Sequence, residues 1–195
     1  MTMPAQEAAP TVAERRAARR ANQTTFNLVI ALIASLGVVA LLVTVVIRPE
    51  GSLPTIDFRA VGATAQGSVD EPLAIPDLPE GWTANRAELV SNPADGVARW
   101  EVGYLTPEGD YIGFVQGIDA NDSWLADQVR SARASGTQSH GGLTWDVYDR
   151  RDLPDPGNVE FALVTETGAS TIVLGGTAAD AEFAVLAEAV AKDLA

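Results

Sequence analysis

The chain has 195 residues, 26 of them acidic against 13 basic, a formal net charge of −13 and no cysteine. The missing cysteine excludes a disulfide framework, a thiolate nucleophile and any Cys-based zinc or iron–sulfur site. The acidity disfavours nucleic acid as a partner, because neutralising phosphates takes clustered Lys and Arg.

Residues 1–25 read as a basic tail. Their first dozen positions are rich in Ala and Pro, and Thr11 to Gln23 carries Arg15, Arg16, Arg19 and Arg20 on what could be a short helix. Residues 26–47, FNLVIALIASLGVVALLVTVVI, contain no charged side chain. At ~1.5 Å per residue such a helix is about 33 Å long, enough to cross a hydrocarbon core of roughly 30 Å. The run is longer than a secretory h-region, and Arg48, Pro49 and Glu50 follow it where a small-x-small cleavage site would stand. The expectation is an uncleaved transmembrane signal anchor that contacts the lipid bilayer. The four preceding arginines keep the N-terminus cytoplasmic, and the rest becomes extracytoplasmic.

Residues 48–76 hold Pro49, Pro54, Pro72 and Pro76 with Gly51, Gly62 and Gly67, and read as a stalk. Residues 77–195 have the size of one domain. A weak strand from about Thr83 to Val90 precedes a clear one, in which Ala98, Trp100, Val102 and Tyr104 alternate with Val97, Arg99, Glu101 and Gly103. A turn at Thr106–Asp110 leads to a returning strand from Tyr111 to Ile118. Asn121 or Asp122 caps a helix carrying Trp124, Leu125, Val129 and Ala132, which Gly136 ends.

The series then repeats. Leu143, Trp145 and Val147 mark a strand, Pro154–Gly157 a loop, Val159, Phe161 and Leu163 a second strand, and Thr171 to Leu174 a third after Thr167-Gly168. Thr177-Ala178-Ala179-Asp180 has capping-box spacing before a helix with Phe183, Leu186, Ala187, Val190 and Leu194 on one stripe. Trp82, Trp100, Gly109 and Trp124 lie over Trp145, Phe161, Gly168 and Phe183 at offsets of about 60 residues, the mark of an internal duplication. The expected fold class is α+β: a transmembrane helix followed by a two-layer antiparallel sheet with two helices on one face, β-β-β-α duplicated.

No constellation specifies a reaction, and no catalytic, metal or cofactor-binding residue is assigned. His140 is the sole histidine, in a Gly-containing loop, and no G-x-S-x-G elbow surrounds a serine. Asp119-Ala120-Asn121-Asp122 fits a helix cap, and Asp149-Arg150-Arg151-Asp152 fits a self-neutralising strand end. Gly141-Gly142 and Gly175-Gly176 belong to no phosphate-binding motif and read as turns where strands meet other elements. Trp82, where strand pattern is weakest, is the candidate for a ligand groove; as plain structure it would plug one end of the sheet.

The Arg-rich N-terminus, the single anchor, the segment Leu78-Pro79-Glu80-Gly81-Trp82, the strand Arg99-Trp100-Glu101-Val102-Gly103-Tyr104 and the Trp124-Leu125 helix start together resemble an uncharacterised actinobacterial family of single-pass membrane proteins bearing domain of unknown function 4245. The β-β-β-α doubling is similar, at fold level, to the domain of photosystem PsbP and the nuclear-transport factor Mog. The first resemblance implies cell-membrane localisation and brings no active site with it. The expected function is a cell-envelope binding or accessory module that docks an envelope protein, lipid or wall component. The alternatives are a structural scaffold, in which Ala31 and Ser35 help helices pair, and a carboxylate-dependent envelope hydrolase using Asp119, Asp122 and His140.

Overall fold

The computed structural model describes residues 28–39 and 55–195. Two compact units divide the chain, Met1–Gly51 and Ser52–Ala195. In the first, residues 28–39 are helical with exposed side chains. No helix among the described residues is long and apolar enough to cross a membrane. The remainder of the expected 26–47 span and the whole 1–25 tail lie outside the described residues.

The second unit is a mixed α+β fold built on one seven-stranded antiparallel sheet. Its strands are β1 (Thr83–Val90), β2 (Arg99–Leu105), β3 (Tyr111–Ile118), β4 (Gly136–His140), β5 (Leu143–Asp149), β6 (Phe161–Thr167) and β7 (Ser170–Gly176). Their spatial order is β1-β2-β3-β7-β6-β5-β4. Three helices accompany them: α1 (Phe58–Ala65), α2 (Asp122–Gln128) and α3 (Asp180–Asp193). Two consecutive hairpin runs, β1-β2-β3 and β5-β6-β7, meet at the β3–β7 pair, whose register runs from Ile112 opposite Gly176 to Ile118 opposite Ser170.

One face of the sheet carries the main core. Trp100, Val102 and Tyr104 alternate out of β2, Ile112 and Phe114 out of β3, Ile172 and Leu174 out of β7, and Leu163, Trp145 and Val147 out of β6 and β5. Phe183, Leu186, Ala187 and Val190 of α3 cover them, as the i, i+3, i+4, i+7 spacing requires. The central strands β6 and β7 have buried side chains on both faces, so they read as continuous apolar runs rather than alternating ones.

That second apolar face corrects the expected layering. Trp124, Val129, Val97, Val164 and Val173 form a smaller cluster of their own, with Val115, Leu125 and Tyr148 against it. The helix α2 therefore covers the face opposite α3, rather than sharing one face with it. Gly117 makes this possible: a Cβ there would stand 2.6 Å from Cη2 of Trp124. The helix is also shorter than the apolar stripe implies. It ends at Gln128 because Arg130 and Ser131 both take a positive φ of 54°, and Ser131 N–H turns back to the carbonyl of Ala126 at 2.6 Å. Gly136 then opens β4, an additional strand inserted between the two β-β-β-α series.

The largest correction concerns residues 48–76. From residue 55 onward the expected stalk is folded onto the main core face, with Phe58, Leu73 and Ala74 buried. Asp57 caps α1 by accepting from Ala60 N–H at 3.0 Å, and Phe58 meets Tyr104 edge-on at 5.2 Å. Residues 69–78 then cross the sheet as an irregular strap. Trp100 Nε1–H donates to the carbonyl of Ala74 at 3.1 Å, and the fully buried Gln116 accepts from Ala74 N–H while donating to Pro72 O and Ser170 Oγ. Pro and Gly spacing hides this segment because its backbone groups pair with the side chains of Gln66, Trp100, Gln116 and Asp193.

Candidate functional site

Trp82 lies half-buried at the end of the main core, its ring 6.4 Å from Tyr104 and inclined 75° to it. Its side chain packs against the main core. Three of the concavities among the described residues of the second unit lie elsewhere.

One, of about 580 Å³, runs between the outer shoulder of α1 and the end of β1 and is lined by Ala60, Val61, Thr64, Ala65, Ser68, Leu89 and Ser91. The local sequence explains its position. Gly62 lets α1 settle against the strap and sheet, where a Cβ would come within 2.7 Å of Ile75 Cδ1 and 3.3 Å of Trp100 Cζ2. Val61 and Ala65 then turn toward the core, leaving Ala60 and Thr64 on the rim. Thr64 Oγ1 donates to the Ala60 carbonyl at 3.0 Å, so its methyl group is free to face the groove. Arg59, directly before the first lining residue Ala60, is held to Asp77 at 2.6 Å. Among the described residues no ionisable side chain lines the groove. It can receive aliphatic groups and a few hydrogen bonds, and it holds no acid, base or nucleophile of activated type.

A second hollow of about 380 Å³ lies beside Tyr111, Asn158 and Thr177. Burial raises the Tyr111 phenol above its ordinary range, opposed by the nearby Arg86. The third, about 270 Å³, sits next to α2 between Leu125, Thr144, Asp146, Val164, Thr165 and Glu166. Its two carboxylates, with burial of the ring as the larger cause, also push the Tyr148 phenol up.

The other singled-out residues are dispersed. His140 belongs to β4 rather than to a loop; its Nε2 lies 3.0 Å from Gln138 Oε1, its side-chain partner among the described residues. Asn121 Oδ1 accepts from Trp124 N–H at 3.0 Å, the capping role expected of it. Arg151 binds Asp149 at 2.6 Å and Asp180 at 2.7 Å and lies 4.7 Å over the Phe161 ring. The hydrogen bond from Arg151 holds the Asp149 carboxyl below the usual range despite some desolvation. Gly141-Gly142 is the two-residue turn between β4 and β5, with φ of 57° and 85°. Gly175-Gly176 is not a turn but the end of β7, where a Cβ on Gly176 would collide with the Tyr111 carbonyl oxygen.

The cap of α3 is also displaced from Thr177. Thr177 N–H is used by the sheet, donating to the Tyr111 carbonyl at 3.1 Å, and Glu182 reaches back to Ala179 N–H at 3.1 Å. Burial drives the Glu182 carboxyl upward, but Thr106, Glu108 and the Ala179 N–H outweigh it and leave it lowered, while the contact with Glu182 raises Glu108. Burial also raises the Tyr104 phenol, whose hydroxyl has no partner among the described residues. Among the described residues no cluster of three His, Asp or Glu is placed to hold a metal ion.

The α1–β1 groove is the feature that sequence reasoning missed. Its signal is the pattern Phe58, Val61, Gly62, Ala65, which is helical but sits between prolines and glycines that read as a linker. Fold and surface together define an α+β antiparallel-sheet domain with an apolar groove beside its first edge strand. The chain belongs to the family of proteins of unknown function DUF4245, which matches residues 20–190. That span takes in both the uncharged run at 26–47 and the strap. No curated protein and no solved structure matches the chain.

Proposed function

We propose that the protein is a membrane-anchored accessory module of an actinobacterial cell envelope, and that its exported unit binds the aliphatic part of an envelope partner in the α1–β1 groove. The observation that carries this reading is the groove itself: about 580 Å³, bounded by Val61, Ala65 and Leu89 and, among the described residues, free of ionisable lining. Residues 26–47 support the anchor and the four arginines before them support a cytoplasmic N-terminus. The β-β-β-α order on either side of the β3–β7 pair supports an internal duplication.

Recovery of the full-length chain from membranes, beside an anchor-only control and the groove-filling variant Thr64→Arg, tests the binding reading. The wild type should enrich an envelope component that both controls lose; the same set from all three overturns it. Protease added to intact spheroplasts should remove the Ser52–Ala195 unit, and protection of that unit until lysis overturns the topology. A second reading, a scaffold held by helix pairing, is favoured by Ala31 and Ser35, which are four residues apart within the helical run 28–39.

A further inference from the structure

We propose that the free edge of β4 is a self-association surface, on which a second copy of this chain pairs antiparallel through its own β4. The proposal is independent of the groove and of the membrane anchor. β4 is the last strand of the sheet, and its residues Gly136, Thr137 and Ser139 are exposed. The two-residue turn at Gly141-Gly142 makes His140 opposite Leu143 a hydrogen-bonded pair, so Gln138 opposite Trp145 is the next one along. Thr137 and Ser139 therefore direct their backbone N–H and C=O groups away from β5, outward from the sheet.

Edges of this kind are ordinarily blunted by charge, proline or a bulge. The opposite edge follows that rule: β1 breaks register between Ala84 and Arg86, carries Arg86 and Glu88, and has its Ala84 carbonyl taken by Ile56 N–H at 2.7 Å. β4 does not. Gly-Thr-Gln-Ser-His contains no carboxylate, lysine, arginine or proline and stays in unbroken register with β5.

Local charge leaves this edge open to a second copy as the occupant. From Gln128 to Trp145 the chain has no acidic residue, in a protein with 26 of them, and Arg130 and Arg133 are exposed there. Neither arginine is within ion-pair distance of a carboxylate among the described residues. A copy approaching here meets no carboxylate on the pairing strand, and its acidic body is complementary to the two arginines. The strand is also self-complementary. With the two-fold axis at Gln138, Thr137 lies opposite Ser139 of the second copy and Ser139 opposite its Thr137, so all four outward N–H groups find carbonyls. Gln138 then opposes itself in a non-hydrogen-bonded pair with Cα atoms about 4.5 Å apart, inside the range a disulfide spans.

The absence of native cysteine makes the test direct. Full-length Gln138→Cys, at roughly 100 µM in detergent under mild oxidation, should form a disulfide-linked dimer about tenfold faster than Glu88→Cys on the other edge strand. Adding Ser139→Pro, which removes an outward donor without touching the bonds to β5, should bring the rate down to that of Glu88→Cys. Adding Ser139→Lys instead, which leaves the backbone intact and sets ammonium groups near the axis, should slow it as well. Equal rates for the two cysteine variants overturn the proposal, as does a Gln138→Cys rate that neither second change affects. Capture of a different polypeptide by Gln138→Cys in native membranes, with no dimer of the chain, overturns it too.

Discussion

The indole N–H of Trp100 and the carbonyl oxygen of Ala74 are joined by a hydrogen bond of 3.1 Å across 26 residues of sequence, with both residues buried. This bond ties the strap at 69–78 to the centre of β2. It makes the segment before residue 77 part of the folded unit, because breaking it would leave a buried indole donor and a buried carbonyl unpaired.

A chain shortened to residues 77–195 should therefore fail to unfold cooperatively. One beginning at Ser52 should give a single sigmoidal urea transition, with Phe58, Leu73 and Ala74 restored to the core. Equal transitions in the two would remove α1 and the strap from the core.

Gln116 is wholly buried and serves three partners at once: Ala74 N–H, Pro72 O and Ser170 Oγ. Gln116→Leu keeps the volume and discards the amide, so it should cost about 3 kcal/mol in urea unfolding. It should also open a new protease site within 69–78. A loss under about 1 kcal/mol would mean that the strap finds other partners.

Gly117 and Trp124 compete for the same space, since a Cβ on Gly117 would stand 2.6 Å from the indole. Gly117→Ala should destabilise the protein by roughly 2 kcal/mol through overpacking. Combining it with Trp124→Leu should recover part of that loss relative to Trp124→Leu alone. Strict additivity in the double-mutant cycle would place Trp124 away from this glycine.

The lowered carboxyls of Asp149 and Glu182 contribute to the acid response, the second opposed by the raised Glu108 that shares its hydrogen bond. A carboxyl depressed in the folded state adds stability that is complete above its unfolded value and disappears as pH falls through its folded value. The urea midpoint should thus decline from about pH 4.5 toward pH 2. Asp149→Asn should flatten the decline without abolishing it, because Glu182 remains; an unchanged slope would mean that the Arg151 hydrogen bond does not form in solution.

Most strands were legible from local pattern. The 98–104 alternation and the Thr106–Asp110 turn predict the β2–β3 hairpin, and the stripe Phe183, Leu186, Ala187, Val190 predicts α3, because one covered face imposes period 2 or 3.6 on apolar positions. Trp124 at the edge of its stripe was legible as a helix start but not as the plug of a second face. That role depends on Val164 and Val173 lying side by side in neighbouring strands, a register the linear chain does not display.

Chain order and periodicity alone determined an acidic α+β protein with an uncharged run of 22 residues behind four arginines and two successive β-β-β-α series. Tertiary structure decided where the helices sit, the membership of residues 55–76 in the core, the α1–β1 groove, and which edge strand is left unguarded. The reason is physical. Periodicity records whether a side chain is covered, but not what covers it, and a segment like 69–78 that is held by distant side chains carries no period to read.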